Sequence, residues 1–358
     1  MRILLIRLRL IGDVVFTTPV LRALKRAFPA SRLTYLVEQE AAPIVTGNPH
    51  VDEVIVIPRT RGWKRLLDDA RLARRLRSER FDVVLDLHGG PRSSWLARAS
   101  GARQRIGYDV QGRGWMYTAT VHRARQLRPR HSVVNQWDLL SAIDGWTGGT
   151  PDPARDPVEM PLDDGVDALV ARRLHEAGVE DGHELIVLHV SAGNPFRRWP
   201  EPSFVRLSAG LAARGRERRL VLSSGPSDRE AARRIVAAAR AELGPDRACR
   251  IVDCGEFDLA ELRALVGRSR LFIGGDSGPL HVAATTRTPI VGLYGPTLPS
   301  RSAPWRDPAV PTESVEVIGL ACRPCDQRVC EPGDYRCLTT VTPEHVMLAA
   351  ERAMRARG

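Results

Sequence analysis

Short runs of apolar residues alternate along this chain with longer stretches whose apolar positions recur every three or four residues. Arg2-Ile-Leu-Leu-Ile-Arg7 comes first and reads as a strand buried on both faces, because its apolar residues are continuous rather than alternating. A helix is expected next, with Val14, Phe16, Val20, Leu21, Leu24 and Phe28 on one side. Pro19 fits its first turn if Thr18 is the cap. Further strands are expected at 33–37, 54–57 and 83–87, and helices at 63–78, 93–99 and 132–143. Residues 145–164 lose the periodicity and are rich in Gly, Pro, Thr and Asp, as an interdomain linker would be. The alternation then resumes, with strands at 185–190, 219–223, 250–252, 271–273 and 290–294. Helices accompany them at 202–213, 227–243, 259–266 and Pro343–Arg355. Repeated βα units predict an α/β protein with a parallel, doubly wound sheet in each half. The expected units are 1–160 and 161–340, with a terminal helix in 341–358. Two such halves predict a cleft, with ligands at the carboxyl ends of the strands.

At 358 residues the chain is long for one core, which agrees with two domains. No apolar run is long enough to span a membrane, and Met1 leads straight into a strand, so a cytoplasmic protein is expected. The net charge of +11 points to acidic partners: nucleic acid, anionic lipid headgroups or phosphorylated sugars. Nucleic acid is the weakest of these, because no nucleic-acid motif is present and the aromatics are not interleaved with basic stripes. Arginines such as Arg71, Arg74, Arg75 and Arg77 are instead scattered over helical faces, as a GC-rich coding bias would also give.

The stretch Phe272-Ile-Gly-Gly-Asp-Ser-Gly-Pro-Leu-His281 carries the most specific chemistry. A strand running through Gly274 and Gly275 into a helix leaves backbone N–H groups pointing at its mouth, which suits a phosphate or diphosphate. Asp276 or Ser277 serves as N-cap, and His281 lies about one turn in; a plain strand–turn–helix is the alternative. Gly12-Asp13 follows the first strand, where a carboxylate acts either as general base on a bound hydroxyl or simply as a helix cap. After the strand at 185–190 come the turn formers Ser191, Gly193 and Asn194, then Arg197 and Arg198. Guanidinium groups clamp phosphate oxygens bidentately, unless this is only a solvated basic loop. In Asp86-Leu-His-Gly-Gly-Pro-Arg-Ser93 the glycines allow close approach and Arg92 suits an anionic ligand. Arg59, Arg61, Trp63 and Lys64 form a basic, aromatic-tipped loop suited to an acceptor, to a membrane surface or to plain solvation. Cys322, Cys325, Cys330 and Cys337 have a spacing that suits a four-thiolate zinc knuckle, with free reduced thiols as the alternative. Cys249 and Cys254 read as core filler beside a strand.

Together these elements resemble glycosyltransferase family 9, the bacterial ADP-heptose:lipopolysaccharide heptosyltransferases, over nearly the whole chain. The most specific part is Gly275-Asp-Ser-Gly-Pro-Leu-His-Val-Ala283 with Pro289-Ile-Val-Gly-Leu-Tyr-Gly-Pro-Thr297. Ile11-Gly-Asp-Val-Val15 with Thr18-Pro19, then Arg198-Trp199-Pro200 and the cysteine-rich loop, add to it. The resemblance implies a GT-B architecture, two Rossmann-like domains facing across a cleft, with the last helix packing back toward the first. It implies an inverting, metal-independent transfer of heptose from ADP-heptose to a Kdo or heptose acceptor of the lipopolysaccharide inner core. By position Asp13 would be the base, and Gly12, Arg61, Lys64, His88 and Arg92 would meet the acceptor on the first domain. Ser191, Arg197, Arg198, Gly275, Asp276, Ser277, Gly278 and His281 would meet the donor on the second. Arg197 stands where the family commonly has Lys, which keeps the charge but changes its fork and reach. Such an enzyme would attach peripherally to the inner face of the inner membrane. The rival readings are a transferase of the same fold using another nucleotide sugar or glycan, a nucleotide-sugar epimerase, and a basic nucleic-acid-binding protein. An epimerase should carry more carboxylates at the strand ends.

Overall fold

The computed structural model describes residues 1–123, 130–190 and 194–356. The chain divides into two compact units, Met1–Pro161 and Leu162–Gly358. The first contains β1 (Arg2–Ile6), α1 (Ile11–Val15), α2 (Thr18–Ala27), β2 (Arg32–Glu38), β3 (Glu53–Ile57) and α3 (Gly62–Ser78). It continues with β4 (Val83–Asp86), α4 (Pro91–Ala99), β5 (Gln104–Tyr108), β6 (Ala119–Val121) and α5 (Ser132–Trp137). The six strands are parallel in the order β3-β2-β1-β4-β5-β6. Ile3 to Ile6 are wholly buried, as expected for a strand whose sheet is covered on both faces. On α2 the residues Val20, Leu21, Ala23 and Leu24 are buried, and its cap position is Thr17 rather than Thr18, which leaves Pro19 in the first turn.

The second unit contains α6 (Asp164–Glu176), β7 (Glu184–His189), α7 (Glu201–Ala213), β8 (Arg218–Ser223), α8 (Arg229–Leu243), β9 (Ile251–Val252) and α9 (Leu259–Gly267). It ends with β10 (Leu271–Gly275), α10 (Gly278–Ala283), β11 (Ile290–Tyr294), α11 (Pro299–Ser302), β12 (Thr312–Glu316), α12 (Arg336–Thr339) and α13 (Pro343–Arg355). Its parallel sheet runs β12-β11-β10-β7-β8-β9. Counted from its own first strand, each unit therefore has the same doubly wound order, 3-2-1-4-5-6. The strand order reverses beside β1 and β4 in one unit and beside β7 and β10 in the other, and the loops after those strands form the two ligand-ready mouths.

Three strands escaped the sequence pattern. β12 reads Thr-Glu-Ser-Val-Glu and pairs only with β11, so as an edge strand it lacks a continuous apolar run. β5 and β6 lie toward the other sheet's edge and carry polar residues. The expected linker at 145–164 is corrected: most of it is a strap fixed to the first unit. Asp156, Val158 and Met160 are buried. Arg26 donates to Asp156 at 2.8 Å, Arg22 pairs with Glu159, and the Glu159 amide donates to Thr18 Oγ1 at 2.9 Å. The last helix, which the resemblance placed toward the first unit, has Val346, Ala349, Ala350 and Ala353 in the second unit's own core, beside Leu207 and Leu211 of α7. Cys249 is exposed and Cys254 half-buried, so the expectation of core filler fails for Cys249.

Candidate active site

At the mouth of the first sheet, β1 leads directly into Arg7, and Asp13 follows in the first turn of α1. Arg7 is buried (3% exposed); its guanidinium donates to the Leu87 carbonyl and pairs with Oδ2 of Asp13. Asp13 stays partly open, with its side chain 21% exposed. It does not cap α1: the cap position is Leu10, and no side chain makes a capping bond there. Leu10 holds φ at 68° and is itself exposed, a strained backbone for a non-glycine residue. Gly12 is half-buried in the first turn of α1.

Across the same mouth, the loop after β4 is organised by Asp86, which is fully buried. Its carboxylate accepts from the amides of His88 (3.0 Å) and Gly89 (2.9 Å), from Ser93 Oγ (2.9 Å) and from Tyr117 Oη (2.6 Å). Burial pushes the Asp86 carboxyl up, against these four donors. Burial, and then the charges of Arg7 and Arg9, push His88 down to about 4, so its ring is neutral at pH 7. Gly90 is required there, because a Cβ would lie 2.7 Å from the His88 ring. The Arg92 guanidinium donates to Asp69 at 2.6 Å and Glu38 at 3.2 Å, closing a half-buried network. Arg61 and Lys64 are exposed at the start of α3, away from any such network.

In the second unit the loop after β7 and the turn after β10 meet. Ser191 lies outside the described residues. Arg197 Nη1 donates to the Asp276 carbonyl at 2.8 Å and lies 3.4 Å from its Oδ2. Asp276 is 4% exposed; Thr297 donates to its Oδ2 at 2.5 Å, and His281 Nε2 lies 3.5 Å from its Oδ1. Burial raises the Asp276 carboxyl, but the hydrogen bond and charge of His281, then Arg197 and Thr297, outweigh it and hold the group below the usual carboxylate range. Asp276 is thus a buried hub that fixes Arg197, with buried His281 beside it. Ser277 occupies the N-cap of α10, its Oγ donating to the Gly275 carbonyl at 3.2 Å, and Gly278 begins the helix.

Beside this hub lies a cavity of about 190 Å³ with Val190, Gly275 and Leu293 in its lining. Arg198, which lies 3.2 Å from Asp228, and Glu230 and Arg234 of α8 also line it. Its mixed lining of apolar and charged side chains suits a ligand with both an apolar and a polar part. Asp228, Glu230 and Arg234 were missed from sequence, although the Gly225-Pro226 turn ahead of α8 marks the end of β8. Trp199, which also lines this cavity, packs edge-on to Phe204 and donates to the Val341 carbonyl at 2.9 Å, so it anchors the loop.

The family model for glycosyltransferase family 9 (heptosyltransferase) matches residues 70–335, more than half of the chain. The chain belongs to that family. It is 29% identical over 315 residues to lipopolysaccharide heptosyltransferase 3 of Escherichia coli, covering 83% of this chain and 84% of that protein. Its fold matches the crystal structure of a glycosyltransferase family 9 protein from Veillonella parvula with a TM-score of 0.84 at 24% identity, covering 99% and 97% of the two chains. It also matches an E. coli heptosyltransferase with ADP-2-deoxy-2-fluoro heptose, with a TM-score of 0.70 at 20% identity over 98% and 99%. The architecture is GT-B, two Rossmann-like units in one chain.

In this family 9 glycosyltransferase the four loop cysteines are free, half-buried and share the lining of a cavity of about 250 Å³. Among the described residues, no group of three or more His, Cys, Asp or Glu side chains is gathered to hold a metal ion. Many of the glycosyltransferase's arginines are paired, as Arg173 with Glu261, Arg218 with Glu351 and Arg268 with Asp167. No described helix is long and apolar enough to cross a membrane.

Proposed function

We propose that this glycosyltransferase moves heptose from ADP-heptose to a Kdo or heptose acceptor of the lipopolysaccharide inner core, with inversion at the anomeric carbon. The observation that carries the reading is the Asp13 carboxylate, open at the first mouth and held from behind by buried Arg7. The names of the relatives, lipopolysaccharide heptosyltransferases among them, support the substrate class. Asp13 takes the proton of an acceptor hydroxyl while that oxygen attacks the anomeric carbon. The bond from that carbon to the diphosphate oxygen breaks, and ADP leaves with the electron pair. Arg197, fixed on Asp276, meets the charge that grows on the leaving diphosphate, a task that needs no metal in this scheme. The cavity beside it takes the adenosine. Exposed Arg9 adds positive charge near the first mouth, which suits the carboxylate of a Kdo acceptor.

Cytoplasmic placement with peripheral attachment to the inner leaflet belongs to the same reading, through α3. Trp63, Leu66 and Leu67 are exposed on it (74%, 64% and 56%), beside the exposed Arg61, Lys64, Arg65 and Arg71. Apolar anchors inside a cationic collar suit an anionic lipid surface.

The test is ADP release from ADP-heptose, with and without deacylated Kdo-containing or heptosylated core acceptors, comparing wild type with Asp13→Ala. Acceptor-dependent release that collapses in the variant is expected, and the acceptor that works identifies the step. Donor binding with no turnover on any of these acceptors moves the function to another glycan. Absence of donor binding sinks the reading.

A further inference from the structure

The cysteine-rich loop reaches the donor arginine through one side chain. Gln327 Oε1 accepts from Arg197 Nε at 2.7 Å and from Asn194 Nδ2 at 2.7 Å. Asn194 in turn accepts the Phe196 amide on its Oδ1 (3.0 Å) and the Arg197 amide on its carbonyl (2.9 Å), so Gln327 grips both ends of the turn that presents Arg197. The loop is itself anchored to the other half of the hub. The Cys325 amide donates to the Pro296 carbonyl at 3.0 Å, and Arg323 donates to the Thr297 carbonyl at 2.7 Å. Thr297 is the residue that holds the Asp276 carboxylate. The Phe196 and Tyr335 rings, 5.5 Å apart, add a second contact between turn and loop.

Gln327 also adopts φ of 62°, in the left-handed region where glycine or asparagine is less strained. Its amide donates to Cys325 Sγ at 3.3 Å, which fixes that turn. A long amide side chain kept in a strained backbone, with its oxygen on a functional guanidinium, points to a role beyond turning the chain.

We propose that Gln327 is a positioning residue for donor binding: it locks the Arg197 guanidinium by its Nε, while Asp276 locks Nη1, and so aims Nη2 at the donor diphosphate. This rests on the reading that Arg197 meets that diphosphate. The bound fork is thereby oriented before the donor arrives, which lowers the ordering cost of binding. Arg, unlike Lys, has an Nε–H to be held this way.

The test is calorimetric titration of ADP into wild type, Gln327→Met, Arg197→Met and the double variant. Gln327→Met is expected to weaken ADP binding roughly tenfold, the loss that follows from one hydrogen bond to a charged group. Stoichiometry should be unchanged, whereas a merely structural defect would lower the binding-competent fraction and leave the affinity alone. In the Arg197→Met background the same change should cost less than about twofold, because Gln327 acts through Arg197. Gln327→Gly relieves the backbone strain, so it serves as a second deletion if the Met variant folds poorly. Wild-type affinity in these variants, or losses that add in the double variant, overturns the proposal. Wild type that binds no ADP fails the donor reading instead.

Discussion

At the residue scale each mouth carries an arginine–carboxylate pair, and the two pairs differ in who holds whom. In the first unit, buried Arg7 holds an open Asp13; in the second, buried Asp276 holds a partly open Arg197. Asp13→Asn keeps the shape and removes the proposed base, so on that reading turnover should fall by roughly 10² to 10⁴ with the donor KM nearly unchanged, as steady-state kinetics can show. The same change leaves Arg7 buried without its counter-charge, and the melting temperature should drop as well. Arg197→Lys keeps the charge but loses the Nε bond to Gln327, so the donor KM should rise about 3- to 10-fold with a smaller change in kcat. Asp13 and Asp276 were legible in sequence because both follow strands at a mouth. The carboxylate partners of Arg92 and His281 were not legible. Residue type and spacing place a side chain at a strand end, but not whether a carboxylate such as Asp69 or Asp276 has already engaged it.

At the scale of elements, α3 is the outlier. Most helices bury one face, whereas the first half of α3 leaves Trp63, Leu66 and Leu67 in solvent and buries only Leu72 and Leu76 further on. Replacing Trp63, Leu66 and Leu67 together by Ser should abolish co-sedimentation with phosphatidylglycerol vesicles while leaving turnover on a water-soluble, deacylated acceptor within about twofold. Equal binding of wild type and variant to vesicles would remove α3 from the attachment. The central strands β1, β4, β7 and β10 could be read from sequence because continuous apolar runs mark strands covered on both faces. β12, with alternating Glu, Val and Glu, and the strap at 145–161 could not: the one is an edge strand, the other holds its place by separate anchors rather than by a period.

The whole molecule repeats one topology twice, and each copy buries a histidine near its switch point. Burial pushes both His88 and His189 down to about 4 from the usual 6.5. Because the unfolded chain binds those protons first, stability is fully present above about pH 6.5 and falls as the pH drops toward 4. Asp276, held below the usual carboxylate range, adds a loss in the same direction at still lower pH. Melting temperatures between pH 7.5 and 4.5 should decline accordingly, and His189→Gln, whose amide can still meet Ser223, should flatten the decline. A profile with no decline would mean that neither ring stays neutral in the fold. The repeat has a further consequence for how the protein is made. The first unit has all its residues once Pro161 is synthesised, but the second lacks an edge strand and a core helix until β12 and α13, ending at Arg355, have followed. At roughly 5 to 20 residues per second, some 10 to 40 s separate the two events. For that interval the ribosome carries a finished first unit, with the apolar end of α3 already exposed, tethered to a second unit that cannot close its core. A nascent chain could therefore settle on a membrane before it is able to bind a nucleotide.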